Sequence, residues 1–130
     1  MRLRVGIERY AMPIENVLEV AELGELSAVP GAGPAVLGVR NLHGRVLAVF
    51  DLARVLAIAG DATEPRIVVA EHEGRLAGLA VDEVTDVSSL SAAAEEAEAE
   101  YLSAALLEDG RLVGVIDVER LFRGLAREAA

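Results

Sequence analysis

At 130 residues the chain is long enough for one ordinary domain, or for two small units sharing a core, and its 53% apolar content with a mean hydropathy of +0.38 marks it as globular rather than disordered. Its net charge of −10 and pI near 4.6, with all 12 basic residues arginine and scattered singly, exclude the concentrated cationic surface that nucleic acid requires. No apolar run approaches the roughly twenty residues of a membrane span, the N-terminal stretch lacks the apolar segment of a secretory signal, and the absence of cysteine removes disulfides and thiol chemistry, so a cytoplasmic location is expected.

In chain order, residues 2 to 8 read as a strand, with a turn near Glu8 and Arg9 and a second strand from Tyr10 to Met12. Val17 to Leu23 reads as a third. The stretch VPGAGPAV (29 to 36), with two prolines and two glycines, reads as a loop. Val36 to Leu42 and Arg45 to Phe50 are rich in β-branched residues and flank His43 and Gly44, the signature of a tight hairpin. Asp51 is placed to cap a helix with apolar Leu52, Val55 and Leu56 on one face. Further strands are expected at Arg66 to Glu71, Arg75 to Val81, Val84 to Leu90 and Arg111 to Ile116, with turns at HEG (72 to 74) and EDG (108 to 110). The acidic run SAAAEEAEAE (91 to 100) reads as a loop with a helical turn. Asp117 caps a closing helix whose Val118, Leu121, Phe122 and Leu125 share a face.

The chain repeats itself. GRVLAVFDLARVL (44 to 56) returns as GRLVGVIDVERLF (110 to 122), pairing Gly44 with Gly110, Arg45 with Arg111, Val49 with Val115, Asp51 with Asp117 and Arg54 with Arg120. Upstream, RYAMPIENVLEV (9 to 20) matches RLAGLAVDEVTDV (75 to 87) with one residue inserted, pairing Arg9 with Arg75, Ala11 with Ala77, Glu15 with Asp82 and Val17 with Val84. Two copies of one unit of short strands and glycine turns indicate barrels or sandwiches. Strands that are apolar on both faces, such as Arg75 to Val81, require the two units to pack on each other.

Catalytic signatures are weak throughout. His43 and His72 stand in turns without a second ligand at metal spacing, no serine has a nucleophile-elbow context, and Asp51 and Asp117 read as helix caps rather than an acid-base pair. The stretch GAGPAVLG (31 to 38) begins like a dinucleotide fingerprint but runs into a strand where that motif needs a helix. An aromatic content of 3% leaves no stacking platform for single-stranded nucleic acid.

The order of motifs, VPGAGPAVLGVRNLHGRVLAVFDL (29 to 52), then RIVVAEHEGRLAGLAVDEVTDV (66 to 87), then DGRLVGVIDVERLF (109 to 122), resembles the CheW family of bacterial chemotaxis coupling proteins over about residues 3 to 125. The resemblance implies an all-β fold: two intertwined five-stranded SH3-like β-barrels with a shared hydrophobic core and a short C-terminal helix. It implies a single domain over residues 1 to 130, with a first subdomain near 14 to 65, a second near 66 to 116 that exchanges strands with the N-terminus, and a helix at 117 to 127.

Its functional implication is a non-enzymatic adaptor, without metal or cofactor, that joins the regulatory domain of a histidine kinase to the cytoplasmic tip of chemoreceptors, with other CheW-like domains as further neighbours in an array. The alternatives are a divergent scaffold for another pathway such as surface motility, or a small-ligand-binding β-barrel. Carried over by position, the partner-binding residues are Val17, Glu19, Gly38, Asn41, Leu42, His43, Gly44, Ile67, Val68, Val84 and Val87. Each aliphatic in this set reads equally well as core. His43 departs from the family pattern, which carries arginine between Asn-Leu and Gly. A histidine there offers one donor to a carboxylate such as Glu19 where arginine offers a bidentate fork, so it reads either as an interface residue with altered partner choice or as a solvated turn histidine. Ala48 stands where the family often has proline, a change confined to edge pairing.

Overall fold

The hairpin signals carry through into the structure, a computed structural model that describes residues 1–60, 64–86 and 95–129. Strands β1 (Arg2–Val5) and β2 (Glu8–Ala11) form the first hairpin, and a single 3-10 turn, Ile14–Asn16, leads into β3 (Val17–Glu22). The hairpin β4 (Val36–Leu42) and β5 (Arg45–Asp51) runs into the one-turn helix α1 (Leu52–Val55). The second half supplies β6 (Arg66–His72), β7 (Arg75–Val81), β8 (Glu83–Asp86), β9 (Glu95–Ala99), β10 (Leu102–Glu108), β11 (Arg111–Ile116) and α2 (Val118–Ala129). No helix among the described residues is long and apolar enough to cross a membrane.

Five strands form one sheet in the order β3-β6-β7-β5-β4, and six form the other in the order β8-β1-β2-β11-β10-β9. Matching β1 to β6, β2 to β7, β3 to β8, β4 to β10 and β5 to β11 makes the two orders identical, with β9 as an addition. Each copy of the repeat therefore lends its first hairpin to the sheet of the other copy. The copies join along four strand pairs, the parallel β2 with β11 and β7 with β5 and the antiparallel β1 with β8 and β3 with β6. Sheet membership thus divides the chain between Val81 and Glu83, and the expected boundary at residues 65 and 66 is corrected: β6 and β7 belong with β3, β4 and β5.

Three other expectations change. The first turn is Gly6–Ile7, not Glu8 and Arg9, because Val5 pairs with Glu8. Gly6 adopts φ 58, its N–H donates to Asp82 Oδ2 at 2.6 Å, and a Cβ there would lie 2.0 Å from the Ala59 carbonyl oxygen, so only glycine fits. Since His72 pairs with Arg75 in the matching hairpin, Glu8 rather than Arg9 is the counterpart of Arg75, and the inserted residue lies in the loop after β3. The strand β10 escaped the sequence reading although it is β4 displaced by sixty-six positions, down to the bulge that follows its first residue. Residues 95 to 99 form an edge strand on β10 rather than a helical turn. The alternation Glu96-Ala97-Glu98-Ala99 has the period of a strand, and β10 offers an unpaired edge for it. In the first copy the same edge is met, among the described residues, by the isolated bridge of Ser27 with Val39.

The core has three parts. The largest lies between the sheets and gathers Leu3, Val5, Tyr10 and Met12 from the first hairpin, Val68, Ala70 and Leu79 from its counterpart, and Leu121, Phe122 and Leu125 from α2. Leu47, Val49, Ile67, Val69 and Ala80 fill the inside of the five-stranded sheet, and Ala11, Leu106, Val113 and Val115 fill the other.

The residues shared by the two copies hold the strand-to-helix corners. Asp51 Oδ1 accepts the Ala53 N–H at 3.1 Å, and Asp117 Oδ1 accepts the Arg120 N–H at 3.1 Å. Arg54 and Arg120 return the contact at 3.6 and 3.4 Å, and each also donates to a backbone carbonyl, that of Pro34 or of Leu102. Both aspartates are helix caps, as their positions after a strand predicted.

Candidate functional site

Strands β3 and β4 are the outermost of their sheet, yet their side chains meet. The Arg40 guanidinium donates to the carbonyls of Glu22 and Leu23, Ser27 and Val39 exchange two backbone hydrogen bonds of 2.9 Å, and His43 Nε2 stands 3.2 Å from Glu19 Oε1. These contacts are the seam along which the sheet curls into a barrel.

The end of that seam is built by a turn. His43 (φ 53) and Gly44 (φ 81) are both left-handed, as a two-residue loop of type I′ demands, and Asn41 Oδ1 accepts the Gly44 N–H at 3.0 Å. Opposite the turn, β3 carries a bulge: Val17 faces Ala70 and Glu19 faces Val69, leaving Leu18 without a partner across the ladder. Leu18 is turned to the barrel mouth and remains 52% exposed. A small concavity of about 150 Å³ results, lined by Leu18, Leu42, Leu47, Val69 and Leu76 and rimmed by Glu19, His43 and Arg45. It is an apolar seat for one aliphatic side chain, edged by both signs of charge. The His43 side chain is 73% exposed, so its pairing with Glu19 is screened and worth at most about 0.5 kcal/mol.

The expected partner-binding residues separate accordingly. Glu19, Leu42 and His43 converge on this mouth, while Asn41 and Gly44 shape the turn that presents it. Val17 is half-buried against the shared core. Ile67 and Val68 are fully buried, one inside the barrel and the other between the sheets, so the expectation that they touch a partner is corrected. Gly38 is buried too. A Cβ there would lie 2.6 Å from the Ser27 carbonyl oxygen, so this glycine admits the crossing backbone rather than a partner. Val84 lies elsewhere, in an open groove of about 750 Å³ bordered by Val20, Leu23 and Pro65 and by the charged Glu22, Glu64, Arg66, Asp82 and Glu83. Val87 lies outside the described residues. Leu18, Arg45 and Leu76 were not anticipated. Leu18 has no sequence signal because a bulge is invisible in the pattern, whereas Arg45 is half of the repeated Gly-Arg pair.

Comparison with known proteins agrees with this arrangement. The model of the family described as CheW-like domain matches residues 1–126. A protein of Rhizobium meliloti (strain 1021) named "Chemotaxis protein CheW" is 31% identical over 139 residues, which cover 98% of this chain and 88% of that one. "Protein FrzA" of Myxococcus xanthus is 37% identical over 83 residues, covering 62% of this chain and 52% of its own. Among solved structures, the scaffolding protein TtCheW of Thermoanaerobacter tengcongensis superposes with a TM-score of 0.86 at 24% identity, covering 93% of this chain and 84% of that one. The fold is therefore the double SH3-like barrel with a short C-terminal helix.

Proposed function

The chain belongs to the CheW-like domain family, and from that premise we propose that it is a non-catalytic cytoplasmic adaptor coupling the regulatory domain of a histidine kinase to the cytoplasmic tip of chemoreceptors. The observation that carries this reading is the match across residues 1–126 together with a barrel mouth whose apolar seat is open to solvent. Docking of this kind draws most of its affinity from a few aliphatic anchors in a pocket, with the polar rim selecting the partner. Leu18, Glu19, Leu42 and His43 form that surface, presented by the turn that Asn41 and Gly44 shape, and Val84 belongs to a second one in the open groove. The barrel interiors hold aliphatic side chains, which supports an adaptor over a barrel that encloses a small ligand. The similarity to "Protein FrzA" supports, as a second reading, a scaffold in another signalling pathway such as surface motility.

The test is calorimetric titration of the full chain with the kinase regulatory domain and with a soluble receptor-tip fragment, each repeated with Leu18→Glu. Leu18 is half-exposed at a bulge, so the variant folds while its seat becomes charged. Binding to both partners, with the kinase affinity reduced at least tenfold by Leu18→Glu, is expected. Binding to neither partner would sink the adaptor reading, and an unchanged affinity in Leu18→Glu would move the interface away from this mouth.

A further inference from the structure

Strand β3 is hydrogen-bonded along one side, to β6, so its distance from β4 is set by the contacts of the seam. Those contacts are unequal. The bridge of Ser27 with Val39 lies past the end of β3, and the pair of His43 with Glu19 is exposed and screened. Arg40 remains. It stands opposite Leu47, on the face that lines the barrel, and its Nη1 donates to the carbonyls of both Glu22 and Leu23, the latter at 3.3 Å. Beside these carbonyls Gly24 is left-handed (φ 64), and a Cβ on it would lie 2.9 Å from Arg40 Cζ and 3.1 Å from Nε, so this glycine leaves the space that the guanidinium occupies.

Packing does not require an arginine at this place. The second barrel has a mouth of its own at the corresponding end, lined by Arg2, Thr85, Glu108 and Val113 among others, and there the counterpart of Arg40 is Leu106, buried with Ala11, Val113 and Val115. A charged group held by hydrogen bonds adds little net stability over a well-packed aliphatic. It adds direction instead: a guanidinium donating to two carbonyls fixes one strand against another, which a leucine does not. That distance matters because the concavity of the first mouth lies between the same two strands. Leu18 comes from β3 and Leu42 from β4, and Leu47, the cross-strand neighbour of Arg40, lines it too.

We propose that Arg40 is a positioning residue for the first mouth: by tying the end of β3 to β4 it keeps Leu18 and Leu42 at the spacing that seats one aliphatic side chain of the partner. Arg40 does not itself line the concavity, so it acts through the strand rather than by touching what binds there. The assignment rests on the adaptor reading of that mouth. It makes the width of the seat depend on a side chain placed behind it, and it gives the first barrel a polar closure where the second has an aliphatic one.

The test uses the full chain, isotope-labelled at amides and leucine methyls, first without a partner. In Arg40→Gln the Ser27 and Val39 amides, which bond across the seam at 2.9 Å, should exchange with solvent about tenfold faster, the effect of losing one charge-assisted contact, while the amides of the β6–β7 ladder keep their rates. The methyl resonances of Leu18 and Leu42 should shift or broaden, with those of Leu106 in the other barrel unmoved. Arg40→Lys, whose ammonium can donate to the same two carbonyls, should restore both signals. Unchanged exchange at Ser27 and Val39, an equal acceleration throughout the β6–β7 ladder, unmoved Leu18 and Leu42 methyls, or an Arg40→Lys spectrum like that of Arg40→Gln would each overturn the proposal. Calorimetry with the kinase regulatory domain then reads the consequence: a complex severalfold weaker in Arg40→Gln and recovered in Arg40→Lys is expected, and equal affinity in all three proteins would also overturn it. Absence of kinase binding by the unaltered chain would instead refute the adaptor reading, and the exchange and methyl results would still decide whether Arg40 sets the mouth.

Discussion

Gly124 sits inside α2, where helix propensity alone says that alanine should be better by about 1 kcal/mol. The structure predicts the opposite sign. A Cβ on Gly124 would lie 2.5 Å from Tyr101 Oη, 2.6 Å from Cε1 and 2.8 Å from Cζ, well inside any real carbon contact. Tyr101 has little room to withdraw, being 9% exposed and part of the shared core, and its own N–C=O unit is fixed because its carbonyl accepts the Asp117 N–H at 2.8 Å. Forcing extra volume into such a site costs about 1–3 kcal/mol. Set against the propensity gain, Gly124→Ala should destabilise the protein by about 1 kcal/mol.

The sign is separable from general damage by a double-mutant cycle. In a Tyr101→Ala background the obstructing ring is gone, and the same glycine substitution should stabilise by about 0.5–1 kcal/mol, giving a coupling of about 2 kcal/mol between the two positions. Urea unfolding followed by circular dichroism of the backbone measures all four proteins. If Gly124→Ala stabilised the otherwise unaltered chain, or if its effect were the same in both backgrounds, the claim that this glycine exists to seat the tyrosine ring would be wrong.

Both tyrosines should ionise above the usual value of 10.0, in each case because burial disfavours the phenolate, with Glu8 adding to the effect at Tyr10 and Glu100 at Tyr101. The folded chain then retains protons that the unfolded chain releases near pH 10, so this contribution is intact below about pH 10 and falls as the pH rises further; ultraviolet titration of the phenolate band with and without urea checks it. Asp117→Ala removes a cap and an ion pair from the helix that carries Leu121, Phe122 and Leu125, and should cost about 1–2 kcal/mol in urea unfolding, with Asp117→Asn retaining most of the stability. Replacing His43 by arginine converts a single contact with Glu19 into a bidentate one; a severalfold tighter kinase complex is expected, and calorimetry showing identical affinity for His43→Arg and His43→Ala would make the residue a solvated turn histidine.

Hairpins with glycine at a left-handed position were legible in the sequence because the turn chemistry is local: His43-Gly44 and the Asp109-Gly110 and Glu73-Gly74 turns all read correctly. The first hairpin was misplaced by two residues because Gly6 owes its conformation to Ala59 and Asp82, contacts remote in sequence. The two strands at the β9 end of the six-stranded sheet were the least legible. The acidic alternation of β9 carries no hydrophobic signal, and β10, with Ala104 and Ala105 at its centre, has little β propensity of its own. At the candidate site, Glu19, Leu42 and His43 were identified by resemblance to a family. Ile67 and Val68 came by the same route and proved to be core, because a sequence does not tell which face of a fully apolar strand meets solvent.

The exchange of hairpins explains why the repeat could diverge at its ends but not at its corners. Each sheet contains strands from both copies, so neither copy can complete a barrel alone, and the shared core draws on both sheets and α2 at once. A substitution at a corner, such as Asp51 or Asp117, disturbs a strand end and the helix packed into that common core, and the two copies have kept the same aspartate and arginine there. The mouths lie at the far ends of the same strands, where Leu42 and Glu108, or Val69 and Arg2, occupy equivalent places at no cost to the packing between sheets. Duplication thus supplied two ends under one structural constraint, one now lined mostly by aliphatic side chains and the other mostly by charged ones.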